Sequence, residues 1–230
     1  MSDANPASPA PARRSIAAPL AMGVALAVLA GVAVRRAVTD PAEPHTPLGV
    51  TPPGEPRGNV LADYFEICDF SLVDQDGRSF TRKALEGRIA VVDFFFTSCP
   101  SACIALTAKM RSLAEALRGE SDVLLVSISV DPSTDTPEVL KRYAAVNGAG
   151  STNWTFVSGA VEEVKRVCES FKAALGVKDA TGDISHSTRL YVVDRHGHLR
   201  AIHDTQIDAE WKPATIHSVR LLLEQQPRGQ

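Results

Sequence analysis

Residues 91–110 read VVDFFFTSCPSACIALTAKM, and the fold turns on how this stretch divides. Its first part completes an apolar, β-branched and aromatic run, Ile89 to Phe96, the composition of a strand buried on both faces. Pro100 stands where proline opens a helix. Ile104, Leu106, Met110, Leu113 and Leu117 then give a helix over about residues 101–118 an apolar side, and Gly119 ends it. Two of the chain's four cysteines, Cys99 and Cys103, sit at this strand-to-helix junction.

The pattern repeats downstream. VLLVSISV (Val123–Val130) reads as a second buried strand, and Thr136 and Pro137 as the N-cap and first residue of a helix ending near Val146. WTFV (Trp154–Val157) is a short strand, followed by a helix from about Val161 to Leu175. RLYVVD (Arg189–Asp194), a turn at His196–Gly197 and LRAIH (Leu199–His203) make a hairpin, and a helix over Trp211–Leu223 closes the domain. Upstream, FEICDFSLVDQDGRSFT places strand formers on both sides of Asp76–Gly77, a hairpin signal. Strands joined through helices imply right-handed parallel crossovers, and the hairpins add antiparallel strands. The expectation is a three-layer α/β domain with a central mixed sheet over residues 63–225, with a short tail at 226–230. Cys99 then follows the C-terminal end of a central strand, where open α/β sheets place their sites.

The first quarter of the chain is different in kind. Residues 1–14 are rich in Pro, Ala and Ser without apolar period and read as a disordered tail. Ser15–Val34 carries no charge, and at about 1.5 Å per residue its length matches the ~30 Å of a bilayer's hydrocarbon core. It reads as a single transmembrane anchor. Arg13 and Arg14 precede it and Arg35 and Arg36 follow it, so charge alone leaves its orientation tied. Residues 35–62 are dense in proline and read as a semi-extended tether. Net charge is −3 with no basic stripe, which speaks against a nucleic-acid partner.

Spacing by four puts two helical residues on one face with Cβ atoms roughly 5–6 Å apart. That suits a disulfide, or two sulfurs on one metal ion. Cys99 at the helix N-terminus meets unpaired N–H groups that favour negative charge on sulfur. As a staple the pair closes too short a loop to gain much, which leaves a redox couple or part of a metal site. A metal site needs a third ligand. Of the six histidines, His45 lies on the tether, His196 and His198 flank a turn, and His203 and His217 occur singly. His186, in DISHSTRLYVVD, sits just before a buried strand in a loop able to return to the site end of the sheet. Cys68 and Cys168 read as structural thiols.

Several blocks in order, FSLVDQDGRSFT, FFFTSCPSAC, SISVDPSTDTPEVLKRYA and ISHSTRLYVVDRHG, resemble the Sco/SenC family of copper-binding proteins with a thioredoxin-like fold. The resemblance covers the whole folded head. It implies copper ligation by Cys99, Cys103 and His186, and a membrane-tethered chaperone delivering copper to the CuA centre of cytochrome c oxidase subunit II. It also implies exchange with other copper chaperones or thiol reductants, and a head facing the periplasm or the mitochondrial intermembrane space. A thiol–disulfide oxidoreductase using Cys99 and Cys103 as its redox pair is the alternative. Asp131 and Asp135 match family aspartates: Asp135 is expected to cap the following helix and Asp131 to lie just outside the site. The segment LGVKDATGDIS before His186 is shorter than the insertion many members carry.

Overall fold

Strands β4 (Ile89–Phe95) and β5 (Val123–Ser129) lie at the centre of the sheet, parallel and in register from Ile89–Val123 to Phe95–Ser129, and every residue of both is buried. The computed structural model describes residues 60–99, 102–151, 153–179 and 184–225, with the backbone only at 102, 103 and 151. The expected tail, anchor and most of the tether lie outside the described residues. Among the described residues no helix is long and apolar enough to cross a membrane.

Six further strands complete one sheet. They are β1 (Phe65–Glu66), β2 (Ser71–Asp74), β3 (Ser79–Thr81), β6 (Trp154–Ser158), β7 (Arg189–Val193) and β8 (His198–Asp204), in the order β1-β8-β7-β4-β5-β6-β2-β3. β6 runs parallel to β5, while β7 joins β4 antiparallel and β2 joins β6 antiparallel. The sheet is therefore mixed, with parallel crossovers in the middle and hairpins at the flanks, as the element order requires. The two outermost strands are brought within reach of each other. Arg82, just past β3, donates to Glu66 of β1 at 2.5 Å and to Asp69 at 2.8 Å. Gly77, with φ 78°, supplies the left-handed residue of the β2–β3 turn.

Helices α1 (Ala102–Ala116), α2 (Pro137–Val146), α3 (Val161–Ser170) and α4 (Trp211–Glu224) cover the sheet. Successive strand residues face opposite ways, and β4 shows both layers. Phe95 packs on Tyr143 of α2 and on Phe156, while Phe94 packs edge-on against Phe171 and Tyr191. α1 is tied to α2 by the Thr107–Tyr143 hydroxyl contact at 2.8 Å, and to α4 by Lys109 over the Trp211 ring. Packing of the head begins at Leu61, whose side chain is buried and whose carbonyl, with that of Ala62, accepts from Arg200.

Two expectations change. α3 ends at Ser170, not near Leu175: Phe171 turns into the core and Lys172 takes φ 54°, a left-handed conformation that stops the helix. Ile104, expected on the apolar side of α1, is 62% exposed, while Leu106, Met110, Leu113 and Leu117 are buried as the periodicity requires. α2 begins as read, with the Thr136 hydroxyl accepting from Val139 N–H at 3.4 Å.

Candidate metal centre

The C-terminal end of β4 carries the first part of the site. Past Phe95 the chain turns through Phe96, Thr97 and Ser98 to Cys99, whose N–H reaches back to the Phe96 carbonyl at 3.5 Å. Cys99 is 7% exposed, so its sulfur sits in the margin of the core. Pro100 and Ser101 lie outside the described residues, and Cys103 is placed by its backbone in the first turn of α1.

The Cys99 turn is held by Asp135. Its carboxylate accepts from Thr97 N–H at 3.1 Å, from the Thr97 hydroxyl at 2.5 Å and from the Ser129 hydroxyl at 2.5 Å. Asp135 is 1% exposed, and these donors satisfy a carboxylate that burial would otherwise penalise. The expectation that Asp135 caps α2 is thus corrected. Thr136 supplies that cap, and Asp135 reaches 38 residues back to the cysteine turn. The Ser129 hydroxyl also accepts from Asp131 N–H at 3.1 Å, so both aspartates hang from one residue at the end of β5.

His186 arrives from the other side of the chain. Residues 174–176 and 185–187 run antiparallel as a narrow ribbon, with Leu175 bridged to His186, Gly176 N–H donating to Ser185 and Ser187 N–H to Ala174. A Cβ on Gly176 would stand 3.1 Å from that of Ser185, so glycine lets the two arms approach. The His186 ring meets Phe96 edge-on, centroids 5.7 Å apart. Its Nδ1 lies 3.0 Å from the Ser187 carbonyl, which only accepts, so Nδ1 is the donor of that pair. The ribbon is tied to the aspartates by Lys178, which donates to Asp131 at 2.5 Å and to the Thr134 hydroxyl at 3.3 Å. Burial alone would push the Asp131 carboxyl up, but the bonds from Lys178, Ser133 and Thr134 outweigh it and hold the group below its ordinary range.

The structure thus brings His186 onto the residue at the end of β4, three positions before Cys99. Among the described residues no three metal-binding side chains form a cluster; the Cys103 side chain lies outside them. Sequence reading missed Phe96, Thr97, Ser129 and Lys178 as parts of the surroundings. The repeat of aspartate four residues apart, Asp131 and Asp135, was the available signal. The other described histidines are elsewhere. His196 and His217 are exposed, His198 pairs with Asp63 at 2.8 Å, and His203 meets the Ser218 hydroxyl, with burial holding its pKa down. Cys168 is buried on α3 and its thiol is pushed up to about 12 by desolvation, which makes it an inert core residue. Cys68 lies between β1 and β2, its N–H bonded to the Ser170 hydroxyl.

This fold matches known proteins. The SCO1/SenC family profile covers residues 62–220. The SCO1 protein homolog of Bacillus subtilis (strain 168) is 33% identical over 136 residues, 58% of this chain and 70% of that protein. A solved structure of BsSco, described as a member of the Sco family of cytochrome c oxidase assembly proteins with a disulfide switch, is 29% identical. It superposes with a TM-score of 0.61 over 72% of this chain and 97% of its own. Copper-bound ScoI of Bradyrhizobium japonicum is 26% identical, with a TM-score of 0.57 over 69% of this chain and 100% of its own. The profile match spans most of the chain, and this chain belongs to the SCO1/SenC family.

Proposed function

We propose that this chain is a copper chaperone that binds copper through Cys99, Cys103 and His186 and passes it to the CuA centre of cytochrome c oxidase subunit II. The observation that carries the reading is the packing of His186 on Phe96, which places an imidazole beside the strand end that leads into Cys99. The donor set fits the cargo. Two thiolates and one imidazole nitrogen are soft ligands suited to Cu(I), and three ligands leave the ion open to an acceptor's own. A closed four-ligand site of the structural zinc type would retain its ion instead. Support from relatives is of the same kind: the Bradyrhizobium japonicum protein holds copper, and BsSco is placed among oxidase assembly proteins.

The reading is tested by copper stoichiometry of the reduced full chain. Cys99→Ala, Cys103→Ala and His186→Ala each abolish stoichiometric binding, and the thiolate-to-copper absorption of the Cu(II) form disappears in either cysteine variant. Undiminished binding by His186→Ala removes that ligand from the site. Delivery is read as copper transfer to the isolated CuA domain, and retention of copper by this chain in its presence counts against the chaperone role.

A second reading is favoured by the cysteine spacing and by the disulfide switch of BsSco. Here the Cys99 thiolate attacks a target disulfide and releases one target thiolate. Cys103 then resolves the mixed disulfide and releases the second, leaving Cys99–Cys103 oxidised and the target reduced. This activity has no need of His186, so reductase turnover that survives His186→Ala selects it. The two roles share one switch, since the oxidised pair offers no thiolates to copper. Ser15–Val34 serves in this reading as a single-pass anchor with the head on the periplasmic or intermembrane-space side. Protease accessibility of the head in sealed vesicles tests the orientation.

A further inference from the structure

We propose that Lys178 is a positioning residue for His186, clasping the histidine ribbon to the same pair of aspartates that holds the cysteine turn. The inference rests on the copper-site reading given above.

The geometry is a fork with a common stem. Ser129, at the end of β5, donates to Asp135 and accepts from the N–H of Asp131. Asp135 fixes the cysteine turn through Thr97, while Asp131 reaches Lys178 across 47 residues of sequence. Lys178 stands two residues past Gly176, on the arm whose neighbour Leu175 bridges His186. The ammonium group joins the arm to the loop just past β5, and it meets a carboxylate only 3% exposed. A buried acceptor makes the pair more directional than a surface ion pair, because water competes poorly for that carboxylate. Release of the clasp removes one side-chain tie on the ribbon, while its backbone bonds, the Ser187–Tyr191 hydroxyl contact and the His186–Phe96 contact remain. The histidine then has more orientations to lose when it ligates, and the copper affinity falls.

The residue acts through His186, and a double-mutant cycle in the full chain separates this from a general effect on the fold. Copper affinity is measured by competition with a chelator for wild type, Lys178→Met, Lys178→Arg, His186→Ala and Lys178→Met/His186→Ala. Lys178→Met is expected to weaken copper binding about 10-fold, the lower end of what loss of a ligand-orienting partner costs. Lys178→Arg restores most of it, and the double variant binds no more weakly than His186→Ala. Asp131→Asn, which removes the charge at the other end of the pair, reproduces the Lys178→Met value. Wild-type affinity in Lys178→Met overturns the proposal, and so does a further 10-fold loss when Lys178→Met is added to His186→Ala. If His186→Ala itself binds like wild type, the ligand assignment falls and the clasp falls with it; the first two outcomes leave that assignment standing.

Discussion

The cysteine side and the histidine side of the candidate site are built by different means. Cys99 follows a seven-residue strand paired on both edges, and its turn is bound by two donors of Thr97 to a buried carboxylate that also accepts from Ser129. His186 rides on a ribbon with one bridge and a few backbone bonds, tied down in part by a long side chain that is itself 39% exposed. One side is part of the core and the other is laid over it. In the proposed site, that difference concentrates rigidity on the cysteine side and leaves adjustment to the histidine side.

The contrast is broken first by attacking the core beneath the cysteine turn. Phe94 is fully buried against Phe171 and Tyr191, and Phe94→Ala is expected to cost about 4–5 kcal/mol in denaturant unfolding. A loss below about 1 kcal/mol would mean that the strand is not the rigid member.

Asp93, on the same strand, gives the next effect and a pH signature. Burial raises its carboxyl to about 7 against the opposing pull of the Ser127 hydroxyl at 2.5 Å, and the Trp154 indole in turn donates to Ser127. A folded pKa above the unfolded one means that this group's contribution to stability is fully present below about pH 4 and is lost as pH rises through 7. Asp93→Asn removes that decline. Its stability relative to wild type therefore increases by about 1.4 kcal/mol per pH unit between 4 and 7, then levels off. Melting temperatures of both proteins from pH 4 to 8 check this, and parallel curves refute it.

Asp135→Ala strands the Thr97 N–H and the Ser129 hydroxyl in a buried place and is expected to destabilise by about 3 kcal/mol. Lys178→Met, at the half-exposed end of the histidine arm, is expected to cost about 1 kcal/mol. Equal losses from the two would erase the distinction between the sides. The smallest effect belongs to Val177, 90% exposed on the ribbon, where replacement by serine is expected to change stability by no more than about 0.5 kcal/mol.

The same division governs what could be read from residues alone. The β4 run, the helix after it and the Thr136–Pro137 start of α2 are local signals, carried by period and by capping chemistry over a few positions. Asp135 was expected at the nearest helix because capping is the commonest local use of aspartate, whereas its partner Thr97 is distant in the chain and carries no local mark. α3 was expected to run on because Phe171, Ala173 and Leu175 continue an apolar pattern. The pull of Phe94 and Tyr191 on Phe171, which ends the helix, exists only in the assembled core. Ile104 fits the apolar period yet is exposed in the first turn of α1, two residues before the buried Leu106. The position of His186 against Phe96 was legible only as a possibility of the loop, and the ribbon that realises it depends on pairing across the intervening segment.

The meeting of Arg82 with Glu66 has a consequence for how copies of this protein behave together. An eight-stranded sheet normally offers two open borders on which a foreign strand can be templated. Here the border strands β1 and β3 are two and three residues long, and a charged side chain spans from one to the other. A neighbouring chain that approaches these two strands meets Arg82, Glu66 and Asp69. Self-association through strand addition at β1 and β3 is thereby discouraged.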